Sequence, residues 1–496
     1  MGEREARFRH RHYCNLLLLG MLFFDIISGI VIETDALTNA VKRLPFKNQD
    51  ELHVTSMNSS VTNGSPRSLR LPNTTYPLHY YLHIASHIHR EQFEYAGNVT
   101  IDIAIRESTN EIVLHAKNLT DFSISMRESY THEKLDDLTY TYDQQACFLI
   151  IHPIENYQAF EAGQRYHLEI LFKGQMHEDT FGIYWMTYSD EKNSTVYVTA
   201  TQFEPTSARL AFPCYDEPSF KANFTISLTH SNYYTAISNM MVRQIEPSID
   251  VNAALGDNDA SMVTTTFHTT PAISTYLVAF VISDFVYISE EYRGVMQRIF
   301  TSPRIADKGR KALKNAVRTV AMFEDYFGID YPLAKLDHIA LKKNFGSAME
   351  NWGLITYKED NLVQQDGADL HKKLKDILTQ NHEIAHQWFG NLVSPQWWTY
   401  AWLNEGFATY FSYVITDLLY PEYKTMDFFL TDIAERAYSY NYMTVRPMTY
   451  YVEKESEVLS VFDIISYQRA ACVIKMFHHA FTQKTFVRGI SQYLRK

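Results

Sequence analysis

The sequence predicts a multidomain α+β protein, with a β-rich N-terminal domain followed by a mainly helical one. Two changes of pattern carry this expectation. From Leu69 to about Phe285, short alternating or β-branched runs dominate, among them His79–Ala85, Asn98–Ile105, Tyr166–Phe172, Thr195–Thr199 and Asn223–Leu228, separated by turn residues. From about Tyr287, longer patterns at helical spacing take over. Residues 306–327 place Ala312, Leu313, Ala316, Val317, Val320, Met322 and Phe323 at helical spacing. Residues 371–389 do the same with Leu374, Ile377, Leu378, Ile384, Ala385, Trp388 and Phe389, and Gly390 is a natural stop. There is no internal repeat and no low-complexity tract.

The chain of 496 residues is 46% hydrophobic and 21% charged, which excludes disorder throughout, a collagenous chain and a multi-span membrane protein. Its formal net charge of −12 argues against nucleic-acid binding, which needs a basic face to displace phosphate counterions. Aromatic content reaches 14%, with 34 tyrosines, and we read these as packing residues.

Residues 1–32 read as an export segment. Arg4, Arg7, Arg9 and Arg11 precede the apolar run Leu16–Phe24, which continues past Asp25 to Ile32. The run suits a cleaved signal peptide, with Ser28-Gly29 as a weak cleavage site, or an uncleaved signal anchor that would hold the chain at a membrane. Residues 33–68 include the polar, aperiodic stretch 54–68 and read as a linker or stalk. Sequons at Asn58, Asn63, Asn73, Asn98, Asn118, Asn193 and Asn223 all fall in the first 225 residues, the pattern of a glycan-bearing exported surface. The expected location is the secretory pathway, with the folded part extracellular or outside the plasma membrane. Beyond Cys14, only Cys147, Cys214 and Cys472 remain. Three thiols are no disulfide scaffold, and a Cys147–Cys214 bridge stays open.

The chemistry concentrates in His382-Glu383-Ile384-Ala385-His386, on the second predicted helix. Histidines four apart project from one helix face and can grip one ion, and Glu383 lies angularly close to both, where it can polarise a bound water. Zinc in a catalytic site needs a third protein ligand and an open fourth position. Glu405, in Trp402-Leu403-Asn404-Glu405-Gly406-Phe407, is the candidate. The residues between it and His386 suffice for one helix to end and another to return antiparallel. A chance His-Glu-x-x-His in a chain this rich in histidine is about a one-in-twenty event, and the added Glu lowers that about twentyfold. One zinc per chain is expected. Trp397, Trp398 and Trp402 are read as core, and Gly406 as a point of close packing beside Glu405.

The chain resembles the aminopeptidase N (membrane alanyl aminopeptidase) family of gluzincin zinc metallopeptidases. The strings are Leu71-Pro72-Asn73, Phe212–Pro218, Gly346-Ser347-Ala348-Met349-Glu350-Asn351-Trp352-Gly353, His382–Leu392, Trp402–Ala408 and Phe462–Tyr467, in family order from residue 69 to the C-terminus. The resemblance implies a saddle-shaped β-sheet domain at 69–285 and a thermolysin-like, mainly helical catalytic domain at 286–496 that stops short of the family's domain end. It implies His382, His386 and Glu405 as zinc ligands, Glu383 as general base and Tyr467 as oxyanion stabiliser. Ser347, Ala348, Met349, Glu350 and Asn351 would bind substrate, with Glu350 on the free α-ammonium and Glu204 as a second anchor for it. The implied reaction is hydrolysis of the N-terminal peptide bond. Carboxylates facing an ammonium select a chain end, because an internal bond would leave their charges buried and unpaired.

Several positions depart from the family pattern. Ser347 replaces a Gly, Ser207 an Asp before Ala208-Arg209, Tyr400 an Asp before the Glu405 segment, and Arg469-Ala470 a Lys-Gly. None removes a ligand, the base or the tyrosine. They leave a second expectation beside the enzyme, that of a catalytically silent glycoprotein binding peptides or a partner.

Overall fold

The computed structural model describes residues 70–495, apart from 133, 136–137, 154–158, 249–261, 364–366, 441–445 and 454. The export segment, the linker and the sequons Asn58 and Asn63 lie outside the described residues. Among the described residues, no helix is long and apolar enough to cross a membrane. Two compact units are distinguished. One is Leu69–Lys475. The described part of the other, from Met476 on, carries the helix Gln483–Leu494, capped where Thr482 Oγ1 accepts from the Thr485 amide.

The N-terminal half of the larger unit is β-sheet. The middle of its eight-stranded sheet is the run Asn223–Ser231, Thr75–Ser86, Glu94–Ile105 and Arg165–Gln175 in spatial order. The alternating sequence explains the pairing. In Glu94–Ile105 every second residue is buried, so the antiparallel ladder puts Tyr95, Val99, Ile101 and Ile103 on one face. A four-stranded sheet built on Thr195–Gln202 and a three-stranded sheet built on Ile112–His115 complete this half. All five runs named from sequence fall inside strands.

Two of the recurring strings explain each other here. The Leu71 amide donates to Glu217 Oε1 at 2.7 Å, and Arg70 Nε to Glu217 Oε2 at 2.9 Å. In the same loop Asp216 accepts from Arg209 Nε at 2.8 Å and from Thr275 Oγ1 at 2.8 Å, with its charge almost wholly buried and fully paired.

Cys147 and Cys214 are both buried free thiols, which settles the pairing left open above. His115 exchanges both backbone hydrogen bonds with Cys214, while the Ala116 amide donates to the Cys147 carbonyl. The chain at 115–116 therefore runs between the two cysteines.

The sequons divide by structure. Asn73, Asn118 and Asn193 are exposed. Asn98 Nδ2 donates to Glu169 Oε1 at 3.2 Å and Asn223 Nδ2 to the Thr270 carbonyl at 2.8 Å, so a glycan at either would leave a single N–H to keep that bond.

Helical patterning from Tyr287 onward misses a five-stranded sheet, ordered Val286–Tyr292, Val295–Thr301, Lys335–Leu341, Leu354–Lys358, Ala348–Met349. Beside it stand three long helices, α1 (Arg310–Phe327), α2 (Leu370–His386) and α3 (Ala401–Leu419). α1 ends on Gly328 at φ 64°, whose amide donates to the Glu324 carbonyl, a glycine-capped helix end. Asp369 caps α2 by accepting from the Lys372 amide. Asn381 joins all three helices: its Oδ1 accepts from Asn315 and Thr319 on α1, and its Nδ2 donates to Thr416 on α3. Asn381 meets Thr416 while His386 meets Glu405, so α2 and α3 run antiparallel.

Candidate active site

α2 presents His382 and His386 on one face, and α3 brings Glu405 against them. His382 Nε2 and His386 Nε2 are 2.9 Å apart, and each lies 3.3 Å from Glu405 Oε2. His386 is oriented through its other nitrogen, since Nδ1 lies 2.9 Å from the Phe389 carbonyl. With Nδ1 engaged there, Nε2 is the nitrogen that faces Glu405. The three side chains can hold a metal ion. Ligand atoms on a tetrahedral zinc lie about 3.3 Å apart, given Zn–N and Zn–O distances near 2.0–2.2 Å, and two imidazoles with a carboxylate are a zinc donor set. The residues fit the ion.

The local turn after α2 is part of this geometry. The helix ends at His386, three residues before the sequence pattern fades, because the chain turns to give Phe389 O to His386. Gly390, at φ 122°, closes the turn through its amide to the Val393 carbonyl. A Cβ there would stand 3.3–3.4 Å from Asn404 and His386 Nδ1.

Ten of the eleven residues singled out from sequence line one cavity of about 620 Å³: Glu204, Ser347, Ala348, Met349, Glu350, His382, Glu383, His386, Glu405 and Tyr467. Asn351 does not. Its side chain is fully buried. Tyr467 stands on the π-helical turn Ile465–Arg469 with its ring over His382, centroids 6.0 Å apart and planes 15° from parallel.

The electrostatics of the cavity are dominated by four carboxyl groups. Burial, reinforced by Glu350 and Glu405, holds the Glu204 carboxyl well above the ordinary carboxylate range. Burial and the Glu350 charge do the same to Glu383. Burial also raises Glu350, against the opposing pull of His386. For Glu405, burial pushes upward, but His386 and both imidazole contacts outweigh it and hold the carboxyl at about 2. Burial and the surrounding carboxylates keep the Tyr467 phenol protonated well past its usual range. Glu204 Oε1 and Glu350 Oε1 are buried without a hydrogen-bond donor. Such a cluster is built for positive charge.

Sequence reasoning gave no role to the residues that hold Glu350 in place. Gln387 Nε2 and Asn391 Nδ2 both donate to the Glu350 carbonyl, at 3.0 and 2.8 Å. The signal was present: amides inside the apolar run His386–Leu392 must be buried, and buried amides must be partnered. Gly353, at φ 82°, lets this strand approach Asn239, whose carbonyl a Cβ would meet at 2.3 Å. Trp397, Trp398 and Trp402 are buried as expected, with Tyr276 and Val452 among their neighbours. Tyr400 is half-buried just ahead of α3.

Gly406 packs against the substituted position 470. A Cβ at 406 would lie 2.5 Å from Ala470 Cβ and 3.2 Å from Ile474 Cδ1. Gly406→Ala is expected to cost about 1–3 kcal/mol through overpacking, despite alanine's better helix propensity. Ala470→Gly in the same chain should recover part of the loss, measured by the denaturation midpoint.

The fold places two helix-borne imidazoles and a carboxylate from the next helix, a group able to hold a metal ion, in an acidic cavity of a chain whose N-terminal half is β-sheet. The chain belongs to peptidase family M1, the aminopeptidase N-like gluzincins. The M1 N-terminal domain matches residues 76–277 and the peptidase family M1 domain residues 311–496. Similar curated proteins include "Endoplasmic reticulum aminopeptidase 1" of Mus musculus, 35% identical over 435 residues (86% of this chain, 45% of that protein). "Aminopeptidase 2, mitochondrial" of Saccharomyces cerevisiae is 34% identical over 442 residues (88% and 44%). "Puromycin-sensitive aminopeptidase" of Caenorhabditis elegans is 34% identical over 432 residues (86% and 44%). The chain spans about half the length of the curated relatives it matches.

Proposed function

We propose that the chain is a zinc metalloaminopeptidase that hydrolyses the first peptide bond of peptides with a free N-terminus. We further read 69–285 and 286–496 as its two domains, and residues 1–32 as directing it to the secretory pathway. The observation that carries the catalytic reading is the convergence of His382, His386 and Glu405 within contact of one another, in the cavity that also holds Glu383, Tyr467, Glu350 and Glu204. His382, His386 and Glu405 hold zinc, which when bound polarises the scissile carbonyl and acidifies a water. Glu383 takes the proton of that water and returns it to the leaving amine. A carboxyl raised by burial suits both halves of that transfer, since its affinity for a proton lies closer to neutrality. Tyr467, kept protonated, donates a hydrogen bond where negative charge develops on the carbonyl oxygen. Glu350 and Glu204 take the α-ammonium, which supplies the cation their buried oxygens lack.

Metal analysis tests the reading without turnover. Purified chain is expected to carry one zinc per molecule and to lose thermal stability on chelation. His382→Ala should bind no stoichiometric zinc. A parent chain that carries none, and gains no stability from added zinc, would refute the site.

A further inference from the structure

The mechanism above places Tyr467 by its ring contact with His382, yet its backbone sits in a π-helical turn, a geometry that proteins sustain only where something holds it. The holding group is on the page. Arg446 lies 21 residues upstream in sequence, with a guanidinium largely shielded from solvent. Its Nη2 donates to Asp463 Oδ1 at 2.7 Å, and its Nε to Asp463 Oδ2 at 3.2 Å. Nη2 also reaches Ser466 Oγ and the Val461 carbonyl, both at 2.9 Å. Asp463 Oδ1 in turn accepts from the amides of Ile465, at 2.9 Å, and Ser466, at 3.2 Å. Ser466 Oγ donates to the Val461 carbonyl at 2.5 Å, and the Tyr467 amide donates to the Asp463 carbonyl at 3.1 Å. Every bond in this set ends within the segment Val461–Tyr467, which leads into the turn.

We propose that Arg446, acting through Asp463 and Ser466, is a positioning residue that fixes the hydroxyl of Tyr467 for oxyanion stabilisation. The proposal rests on the aminopeptidase reading for Tyr467's role. Arginine is needed because only a planar fork meets both carboxylate oxygens and still has an N–H for the hydroxyl. The lever is long: a tyrosine oxygen stands about 6.5 Å from its Cα, so a 10–20° rotation of the turn moves it by about 1–2 Å, beyond the tolerance of a catalytic group. The ligands sit on α2 and α3, and Glu350 is held by Gln387 and Asn391, so none of them depends on Arg446.

The test combines kinetics on an alanyl p-nitroanilide with amide hydrogen exchange on the full chain. Arg446→Met is expected to lower kcat about 10- to 100-fold, with KM changed less than about threefold and zinc content unchanged. Arg446→Lys should recover part of the loss, and Ser466→Ala should lose about two- to fivefold. In a Tyr467→Phe background, Arg446→Met should have less than about a twofold further effect, because the hydroxyl it positions is gone. The same loss in both backgrounds, or an unchanged kcat in the single variant, would overturn the proposal. Exchange at residues 463–469 should quicken at least tenfold in Arg446→Met while α2 and α3 stay protected, and unchanged exchange there also overturns it. Exchange needs no turnover, so an inactive parent chain would refute the aminopeptidase reading while the clamp is still judged on its own.

Discussion

Glu383→Gln is expected to lower kcat by about 10²- to 10⁴-fold while zinc stays at one per chain. The substitution keeps the size of the side chain and removes only its capacity to accept and return a proton. Glu383 belongs to α2 and is only 6% exposed, and its backbone carbonyl accepts from Gln387 Nε2, so the glutamine variant has no reason to rearrange the helix. KM should move little, because Glu383 meets the water and the leaving amine and is not the anchor of the ground-state peptide. Turnover of an aminoacyl p-nitroanilide beside metal analysis checks both halves. Parental turnover that survives Glu383→Gln would place the base elsewhere. A zinc-loaded parent with no turnover would favour the silent peptide-binding reading.

How much of this was legible in the sequence depends on what each residue faces. α1 and α2 were legible because each spaces its apolar residues at a helical period, and α2 adds two histidines four apart. The middle strands of the eight-stranded sheet were legible because buried residues alternate with partly exposed ones, so the period of two survives in the sequence. Lys335–Leu341 was not. All seven of its residues are buried, so no alternation remains, and it contains a lysine, an aspartate and a histidine. The fold satisfies these polar groups internally. Lys335 Nζ donates to the carbonyls of Ser238 and Gly353 and to Asp337, and Arg298 meets both oxygens of Asp337 at 2.6 and 2.7 Å. Partnered charges inside a sheet are invisible to hydropathy.

The site divides the same way. His382, Glu383 and His386 announce themselves by spacing, since one helix sets their relation. Glu204 and Glu350 come from separate strands of the chain, and no local spacing relates them. Family resemblance alone brought them forward, and the fold then puts them with Glu405 in one cluster whose carboxylate oxygens lie within 4.8 Å of one another. Asn351 comes from the same motif and is fully buried, while the fold holds the backbone of its neighbour Glu350 through Gln387 and Asn391.

Glu350→Gln should lower kcat/KM for free N-terminal substrates about 30- to 1000-fold, equivalent to about 2–4 kcal/mol of transition-state binding. The reasoning starts from the buried Glu350 Oε1, which has no hydrogen-bond donor and lies 3.6 Å from His386 Nδ1. An arriving ammonium supplies that donor and a compensating charge together. Removing the carboxylate's charge removes the larger part of that gain, while zinc content should hold because the three ligands are untouched. Glu204→Gln should cost less, since its carboxyl is already pushed strongly toward the neutral form by burial and by Glu350. N-acetylated peptides should be poor substrates for the parent chain, because acetylation deletes the cation that both groups meet. In Glu350→Gln the ratio of free to acetylated turnover should fall toward one. Equal turnover of free and N-acetylated peptides by the parent would show that this carboxylate pair does not define exopeptidase specificity.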